Sequence, residues 1–155
     1  MAQQTSTDRT SRGLGRAEEI AVLAVPDLTV RFAGALLALA VTTAHVADQG
    51  GVSAFTSPDW LGWAYRLIEV GGVLTALTLL WPRSAKLGWM AGVVLGAAPF
   101  LGYVVSRTIG VPGDSGDVGN WGDWVGTLSL VIEAGLVMLS IGMVWAFQHG
   151  RADSA

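Results

Sequence analysis

Two glutamates lie inside long apolar stretches of the sequence, where an ionisable side chain is costly. Glu69 and Glu133 each follow an aspartate by ten residues, and each lies within a run of more than twenty mostly apolar residues. A carboxylate in a membrane span is a candidate for binding protons or cations, as carboxylates do in transporters. Because two carboxylates repel each other in a medium of low dielectric constant, we expect the pair to share a proton. The alternative is a protonated glutamate that only hydrogen-bonds across helices.

Both glutamates belong to a thirteen-residue segment that the sequence contains twice. Residues 59–71 and 123–135 align at an offset of 64, and six positions are identical: an aspartate, a tryptophan, an isoleucine, a glutamate and two glycines. Aspartate and tryptophan favour the start of a helix at a membrane interface, so these two identities have an alternative explanation. The shared Ile-Glu-x-Gly is not explained in that way and favours an internal repeat.

The composition is typical of a membrane protein. Charged residues make up 14% of the 155 residues and apolar residues 52%, whereas a soluble domain carries about 25% charge. Long apolar runs cover about 28–47, 60–81, 87–106 and 124–147. Each has the roughly 20 residues that a helix needs to cross a bilayer, and none alternates with period two as a membrane barrel does. The sequence predicts four transmembrane helices over 28–148, a disordered or interfacial tail at 1–27 and a C-terminal tail at 149–155.

The repeat extends into the span that precedes each copy. Gly34-Ala35 aligns with Gly96-Ala97 at an offset of 62, which places His45 opposite Arg107. We interpret the chain as two helical hairpins of common origin. Since each hairpin has an even number of spans, the copies are parallel and are related by an axis along the membrane normal. The predicted fold is all-α: an integral membrane four-helix bundle built from two parallel-repeated helical hairpins.

Cations and anions are segregated between the two sides of the spans. One side carries Arg9, Arg12, Arg16, Arg31, Arg83, Lys86 and Arg151, and the other carries Asp48, Asp59, Asp114, Asp117 and Asp123 with Arg107 as its cation. Because arginine and lysine mark cytoplasmic loops, both termini are predicted to be cytoplasmic. The abundance of Arg, Ala, Gly and Val is typical of a GC-rich genome. The predicted location is a bacterial plasma membrane.

Helical spacing groups the polar side chains on the small-residue faces of the spans. Arg66 precedes Glu69 by about one turn and can pair with it, so Glu69, Glu133 and Arg66 are predicted to form a proton or cation site near the bilayer midplane. Nearer the outside, a polar mouth is predicted from His45, Asp48, Arg107, Asp117 and Asn120. His45 and Asp48 supply only half of the ligands that a metal site needs. Two interpretations of this mouth therefore remain: a bound metal ion, or a solvated rim without one.

Several classes of function lack the residues that they need. The chain has no cysteine, no phosphate-binding glycine loop, no dinucleotide fingerprint and no nucleophile with a base beside it. A bound haem would need a histidine pair at bundle depth, and His45 and His149 lie at opposite ends of the bundle. We therefore predict no catalytic residue and no cofactor and, without a basic patch, no nucleic-acid partner.

The third and fourth spans carry a run of residues that matches a known pattern. It comprises Ser106-Arg107-Thr108, Gly110, Pro112-Gly113, Gly119-Asn120-Trp121 and Glu133. This run resembles a motif of small four-span membrane proteins of actinobacteria, most of which have no assigned function. Glu69-Val-Gly71-Gly72 followed by leucines is, more distantly, similar to the Glu and Gly-Gly of DoxX-type four-helix proteins, some of which are tied to redox complexes. The resemblances imply a four-span fold and supply no catalytic residue.

Two classes of function are compatible with these residues. The first is proton- or cation-linked transport or sensing through a buried glutamate pair that is open to the outside. The second is a non-catalytic structural or accessory subunit of a larger membrane complex, such as a DoxX-like redox complex, in which the glutamates only hold helices together. The expected partners are the lipid bilayer and, because four helices enclose little interior, further copies of the chain or other subunits.

Overall fold

The structure, a computed structural model, describes residues 27–152, with side chains as far as His149. It contains the helices α1 (Asp27–Asp48), α2 (Asp59–Leu80), α3 (Ala85–Thr108) and α4 (Trp124–Ala152), with a short 3-10 helix at Pro82–Ser84 between α2 and α3. The predicted N-terminal tail lies, except for Asp27, outside the described residues. The first four residues of the predicted C-terminal tail continue α4 instead.

All four helices are long and apolar enough to cross a membrane. The all-α four-helix bundle predicted from the apolar runs is therefore confirmed, and the chain is a small multi-pass integral membrane protein. The first three helices begin and end within three residues of the predicted spans, and α4 continues five residues beyond its predicted end at 147.

The helices pack in sequence order around the bundle. α3 packs against both α2 and α4, whereas α2 and α4 make no close backbone contact with each other. α1 closes the ring, because Thr42 reaches the backbone of α2 and Leu37 lies against Gly135 of α4. The result is an up-down-up-down bundle in which the two glutamate-bearing helices run in the same direction on a diagonal. A twofold repeat of hairpins requires α2 and α4 to be parallel and diagonally opposite. Every bundle whose helices pack in sequence order has the same arrangement, so the common origin of the hairpins stays a prediction.

The two ends of the bundle differ. One end, which we call the loop end, carries the α1–α2 loop (residues 49–58) and the α3–α4 loop (residues 109–123). The other, the turn end, carries the short connection Trp81–Ser84 between α2 and α3. The charge pattern of the sequence predicts that the loop end faces the outside of the cell.

Small residues let the helices approach closely. A Cβ atom on Gly34 of α1 would lie 2.6 Å from the ring of Trp89 on α3. A Cβ atom on Gly96 of α3 would lie 2.7 Å from the carbonyl oxygen of Glu133 on α4. Close packing drives helix association in lipid, where no hydrophobic effect acts between helices. These contacts fix the depth at which the buried polar side chains meet.

A buried arginine closes the turn end. Arg31 of α1 is 5% exposed, and its Nε and Nη2 atoms donate to the carbonyl oxygens of Leu79 and Leu80 at 2.7 Å each. Its Nη1 atom pairs with Asp27 at 3.2 Å. The last carbonyls of a helix lack partners within the helix and attract positive charge. Sequence analysis treated Arg31 only as a topological charge, and its role in holding α1 to the end of α2 appears only in the fold.

Candidate functional site

Glu133 is the most deeply buried ionisable side chain of the described residues, at 1% exposed. Its Oε1 atom accepts a hydrogen bond from the hydroxyl of Ser129, one turn earlier on α4. The same oxygen lies 3.7 Å from Nε2 of His45 on α1. Its Oε2 atom has no hydrogen-bond partner among residues 27–149. A carboxyl group in this position is half-satisfied and needs a proton or a cation.

The backbone of α1 fixes the tautomer of His45. Its Nδ1 atom lies 3.0 Å from the carbonyl oxygen of Val41. A carbonyl can only accept, so Nδ1 must carry a hydrogen, and the exchangeable position of the ring is Nε2. Nε2 faces Glu133, and a single proton can therefore reside on either group, giving a neutral pair or an ion pair. The 3.7 Å separation is too long for a hydrogen bond, so a small movement or a bridging water completes the contact.

Glu69 has a different set of partners. It is 7% exposed, and its Oε2 atom lies 2.6 Å from Nη1 of Arg66, the pairing that the helical spacing predicts. Gln49, just beyond α1, donates to its other oxygen, and Arg66 also donates to the carbonyl of Ala54 at 2.5 Å. Glu69 and Arg66 together fasten the α1–α2 loop to α2. In the aligned segment Leu130 occupies the position of Arg66, so Glu133 has no such cation.

The two glutamates lie at a similar depth on helices that make no close backbone contact with each other. Gly71, two residues after Glu69, faces Leu95 of α3, and the carbonyl of Glu133 faces the next residue, Gly96. Both carboxylates therefore lie within about one helical turn of the same level. No hydrogen bond or ion pair joins them in the part of the chain that the structure describes. Sequence analysis expected a proton shared between Glu69 and Glu133, whereas the structure brings Glu133 together with His45.

Arg107 anchors the polar mouth. It is 7% exposed, and it pairs with Asp117 at 2.5 Å and with Asp123 at 3.4 Å. Its guanidinium lies 4.5 Å from the ring centroid of Tyr103, a cation–π distance. Asn120 donates to Asp117 at 3.4 Å. Asp123 also accepts from the backbone N–H of the second residue of α4, as a helix N-cap does. These contacts tie the α3–α4 loop to the ends of α3 and α4.

The side chains of Asp48 and His45 have different partners, although their i, i+3 spacing suggested a common site. Asp48 accepts a hydrogen bond from the hydroxyl of Tyr65 on α2, whereas the side chain of His45 turns to Val41 and Glu133. The ring of His45 packs near that of Tyr65, with 5.5 Å between centroids. Among the described residues, no group of three or more His, Asp or Glu side chains is placed to hold a metal ion.

A cavity of about 1200 Å³ connects the polar mouth with the buried carboxyl group. At the loop end it is lined by mouth residues that include His45, Asp48 and Arg107, and Ser129 and Glu133 line its α4 wall. It continues towards the turn end between α2 and α3, where its lining is uncharged and mainly apolar, with Thr75 and Thr78 as the polar residues. Glu69 is not among its lining residues. The cavity thus reaches one glutamate of the pair and not the other.

Several contributors were not selected from the sequence. Ser129 and Tyr103 each lie four residues before an ionisable partner, Glu133 and Arg107, so helical spacing contains a signal for them. Gln49 carries no comparable signal, because it lies beyond the end of α1 and meets Glu69 only through the fold of the loop.

Comparisons with protein-family models, with curated proteins and with solved structures gave no match. The resemblances to small actinobacterial four-span proteins and to DoxX-type proteins therefore stay predictions. The class of protein rests on the four apolar helices and the residues that they bury.

Proposed function

We propose that this membrane protein exchanges protons or cations at Glu133 and His45, in proton- or cation-linked transport or sensing. The observation that carries the proposal is the carboxyl group of Glu133, which is 1% exposed, has one unpartnered oxygen and lines a cavity that opens at the loop end. An uncompensated carboxylate in a low-dielectric interior is strongly disfavoured, so this group binds a proton or a cation when it is buried.

The charges around Glu133 support this assignment. α1 contributes His45 and α4 contributes the hydroxyl of Ser129, while α3 approaches through the glycine face at Gly96. On α2, the carboxylate at a similar level is that of Glu69. Glu69 itself is neutralised by Arg66 at 2.6 Å. One glutamate of the pair is therefore built as a fixed ion pair, and the other is left with a partner that can gain or lose a proton.

The polar lining favours access from one side. The acidic and basic residues of the cavity lie between the loop end and the depth of Glu133, and its lining towards the turn end is uncharged. A continuous polar channel is therefore not part of the proposal. Binding from the loop end, followed by either a conformational change or a signal to a partner, is compatible with this lining. We propose that the loop end faces the outside of the plasma membrane, as the charge pattern predicts.

The test compares Glu133→Gln with the matched substitution Glu69→Gln on the sibling residue. Both retain hydrogen bonding and remove a titratable group. In lipid nanodiscs, infrared difference spectra between acidic and alkaline pH should show a carboxyl band in the wild type and in Glu69→Gln that is missing in Glu133→Gln. Proton uptake by proteoliposomes, followed with an enclosed pH dye, should be lost in the same variant. An unchanged carboxyl band and unchanged uptake in Glu133→Gln would contradict the proposal.

The second candidate is an accessory subunit of a larger membrane complex. The contacts of Glu69 favour it, because Arg66 and Gln49 use this carboxylate to hold a loop in place, which is a packing role. In that case a partner should co-purify in fixed stoichiometry from the native membrane, and Glu133→Gln should leave proton uptake unaffected.

A further inference from the structure

The cavity continues as a groove between α2 and α3 whose lining is small and apolar except for Thr75 and Thr78 of α2. Gly71 on α2 and Ala91, Ala98 and Gly102 on α3 line it, and their small side chains leave open space between the two helices. From Ala98 to Leu87 the groove follows twelve residues of α3, a length of about 16 Å at 1.5 Å rise per residue. This is the shape of a slot for an extended hydrocarbon chain or a flat apolar body.

The groove opens sideways, out of the bundle. Leu67 and Leu74 of α2 line it and are 74% and 56% exposed, and Leu87 and Val94 of α3 line it and are 61% and 66% exposed. In a chain whose helices cross a membrane, side chains exposed at these positions face lipid. A molecule dissolved in the bilayer can therefore enter the groove without passing through water.

The polar end of the same cavity is negatively charged. It is lined by Asp48, Asp114, Asp117, Asp123 and Glu133, with Arg107 and His45 as the basic groups. The charge of Arg107 is already taken up by two of these acids. The remaining acidic lining residues are Asp48, Asp114 and Glu133, and the Oε2 atom of Glu133 is buried without a hydrogen-bond partner among the described residues. Anions are repelled from such a site, and a neutral headgroup gains no charge attraction there.

Further acceptors and aromatic faces lie at the boundary between the two parts. Pro99 lines the cavity within α3. Because proline has no N–H, the carbonyl of Leu95 one turn earlier lacks its helical hydrogen bond and can accept from a ligand. Tyr65 and Tyr103 also line the cavity there, and aromatic rings attract organic cations.

We infer that the groove binds an amphiphilic organic cation, such as a long-chain amine or quaternary ammonium compound, with its tail between α2 and α3 and its charged head at Glu133. This inference rests on the proposed function, since it names the ligand of the same carboxyl group. The charge balances when the incoming cation displaces the one proton held by Glu133 and His45, which leaves through the polar mouth. The molecule is thus a candidate exchanger or sensor of lipid-dissolved cations against protons.

The test measures binding of radiolabelled dodecyltrimethylammonium to the protein in phosphatidylcholine nanodiscs, with empty nanodiscs subtracted. Unlabelled dodecyltrimethylammonium should compete, and dodecyl sulfate and dodecanol, which share the tail, should not. Binding should release protons into a weakly buffered medium. Glu133→Gln should abolish the release and lower the affinity by about tenfold or more. Equal competition by all three dodecyl compounds would overturn the inference.

A second variant separates tail from head. Ala91→Phe places a large side chain in the apolar groove, far from Glu133, and should weaken dodecyltrimethylammonium by about tenfold while leaving butyltrimethylammonium unaffected. Ala33→Phe is the matched control, because Ala33 is exposed on α1 and does not line the cavity. Wild-type affinity of Ala91→Phe for dodecyltrimethylammonium would show that the tail does not bind in the groove.

The outcomes distinguish this inference from the proposed function. The infrared carboxyl band can depend on Glu133 while the protein shows no preference for the cationic headgroup. That result would contradict the proposed class of ligand and leave the proposed proton exchange intact. Cation binding without proton release, unaltered in Glu133→Gln, overturns the proposed function and with it this inference.

Discussion

His45 and Glu133 face each other across the interface between α1 and α4, with 3.7 Å between Nε2 and Oε1. Because α1 is the first helix and α4 the last, this interface closes the ring of four helices. A proton that moves between the two side chains changes the charge on both sides of the interface. Under the proposed function, protonation of this pair is coupled to the contact that closes the bundle, as a transporter or a sensor requires.

The ion pair of Arg66 and Glu69 should contribute to stability rather than to proton exchange. Arg66→Met removes the cation and leaves a buried carboxylate that lacks its 2.6 Å partner, at a cost of roughly 3 kcal/mol. The double variant Arg66→Met with Glu69→Gln should recover much of the loss, because the remaining group is neutral. Thermal unfolding in detergent, followed by circular dichroism, measures both. A double variant less stable than the single one would contradict this account.

The close approach of α3 to α4 should depend on Gly96. Gly96→Ala places a Cβ atom 2.7 Å from the carbonyl oxygen of Glu133, so the helices must separate, and we expect a loss of about 1–3 kcal/mol. Gly142→Ala is the matched control on α4, because open space surrounds that position and alanine is the better helix former by up to about 1 kcal/mol. Equal unfolding temperatures for the two variants would show that the helices are not packed in this way.

The sequence predicts much of this arrangement, and the limits are physical. Four mostly apolar runs of helical length predict the spans, and i, i+3 spacing on one helix predicts the pairing of Arg66 with Glu69. Contacts between helices are not encoded by spacing. The choice of His45 over Glu69 as the partner of Glu133 depends on α1 being the neighbour of α4 and on α2 lying diagonally opposite. The repeat suggested two equivalent acids, but one changed position, Leu130 in place of arginine, makes their chemistry different.

The loop end should be accessible from outside the cell. The chain has no cysteine, so single cysteines introduced at exposed sites report topology without further changes. Ser115→Cys in the α3–α4 loop should react with a membrane-impermeant maleimide on intact cells. Arg83→Cys at the turn end should react only after the membrane is permeabilised. The opposite labelling pattern would invert the predicted orientation and place the mouth of the cavity in the cytoplasm.

The imidazole of His45 should be required for proton exchange at Glu133. This requirement distinguishes a pair of groups that share a proton from an isolated acid. His45→Asn keeps a donor near the carbonyl of Val41, which lies 3.0 Å from Nδ1, but cannot take a proton from Glu133. We expect the carboxyl band of Glu133 to persist in the infrared spectrum over a wider pH range, because the base that accepts its proton is gone. Proton uptake by proteoliposomes should slow by about tenfold or more, since acid–base partners typically contribute 10²–10⁴-fold to proton transfer rates. Tyr65→Phe is the control, because it retains the ring beside His45 and removes only the hydroxyl that donates to Asp48.

Both His45→Asn and Tyr65→Phe could match the wild type in band position and uptake rate. Glu133 would then exchange its proton without the histidine, and the α1–α4 interface would have no part in the process.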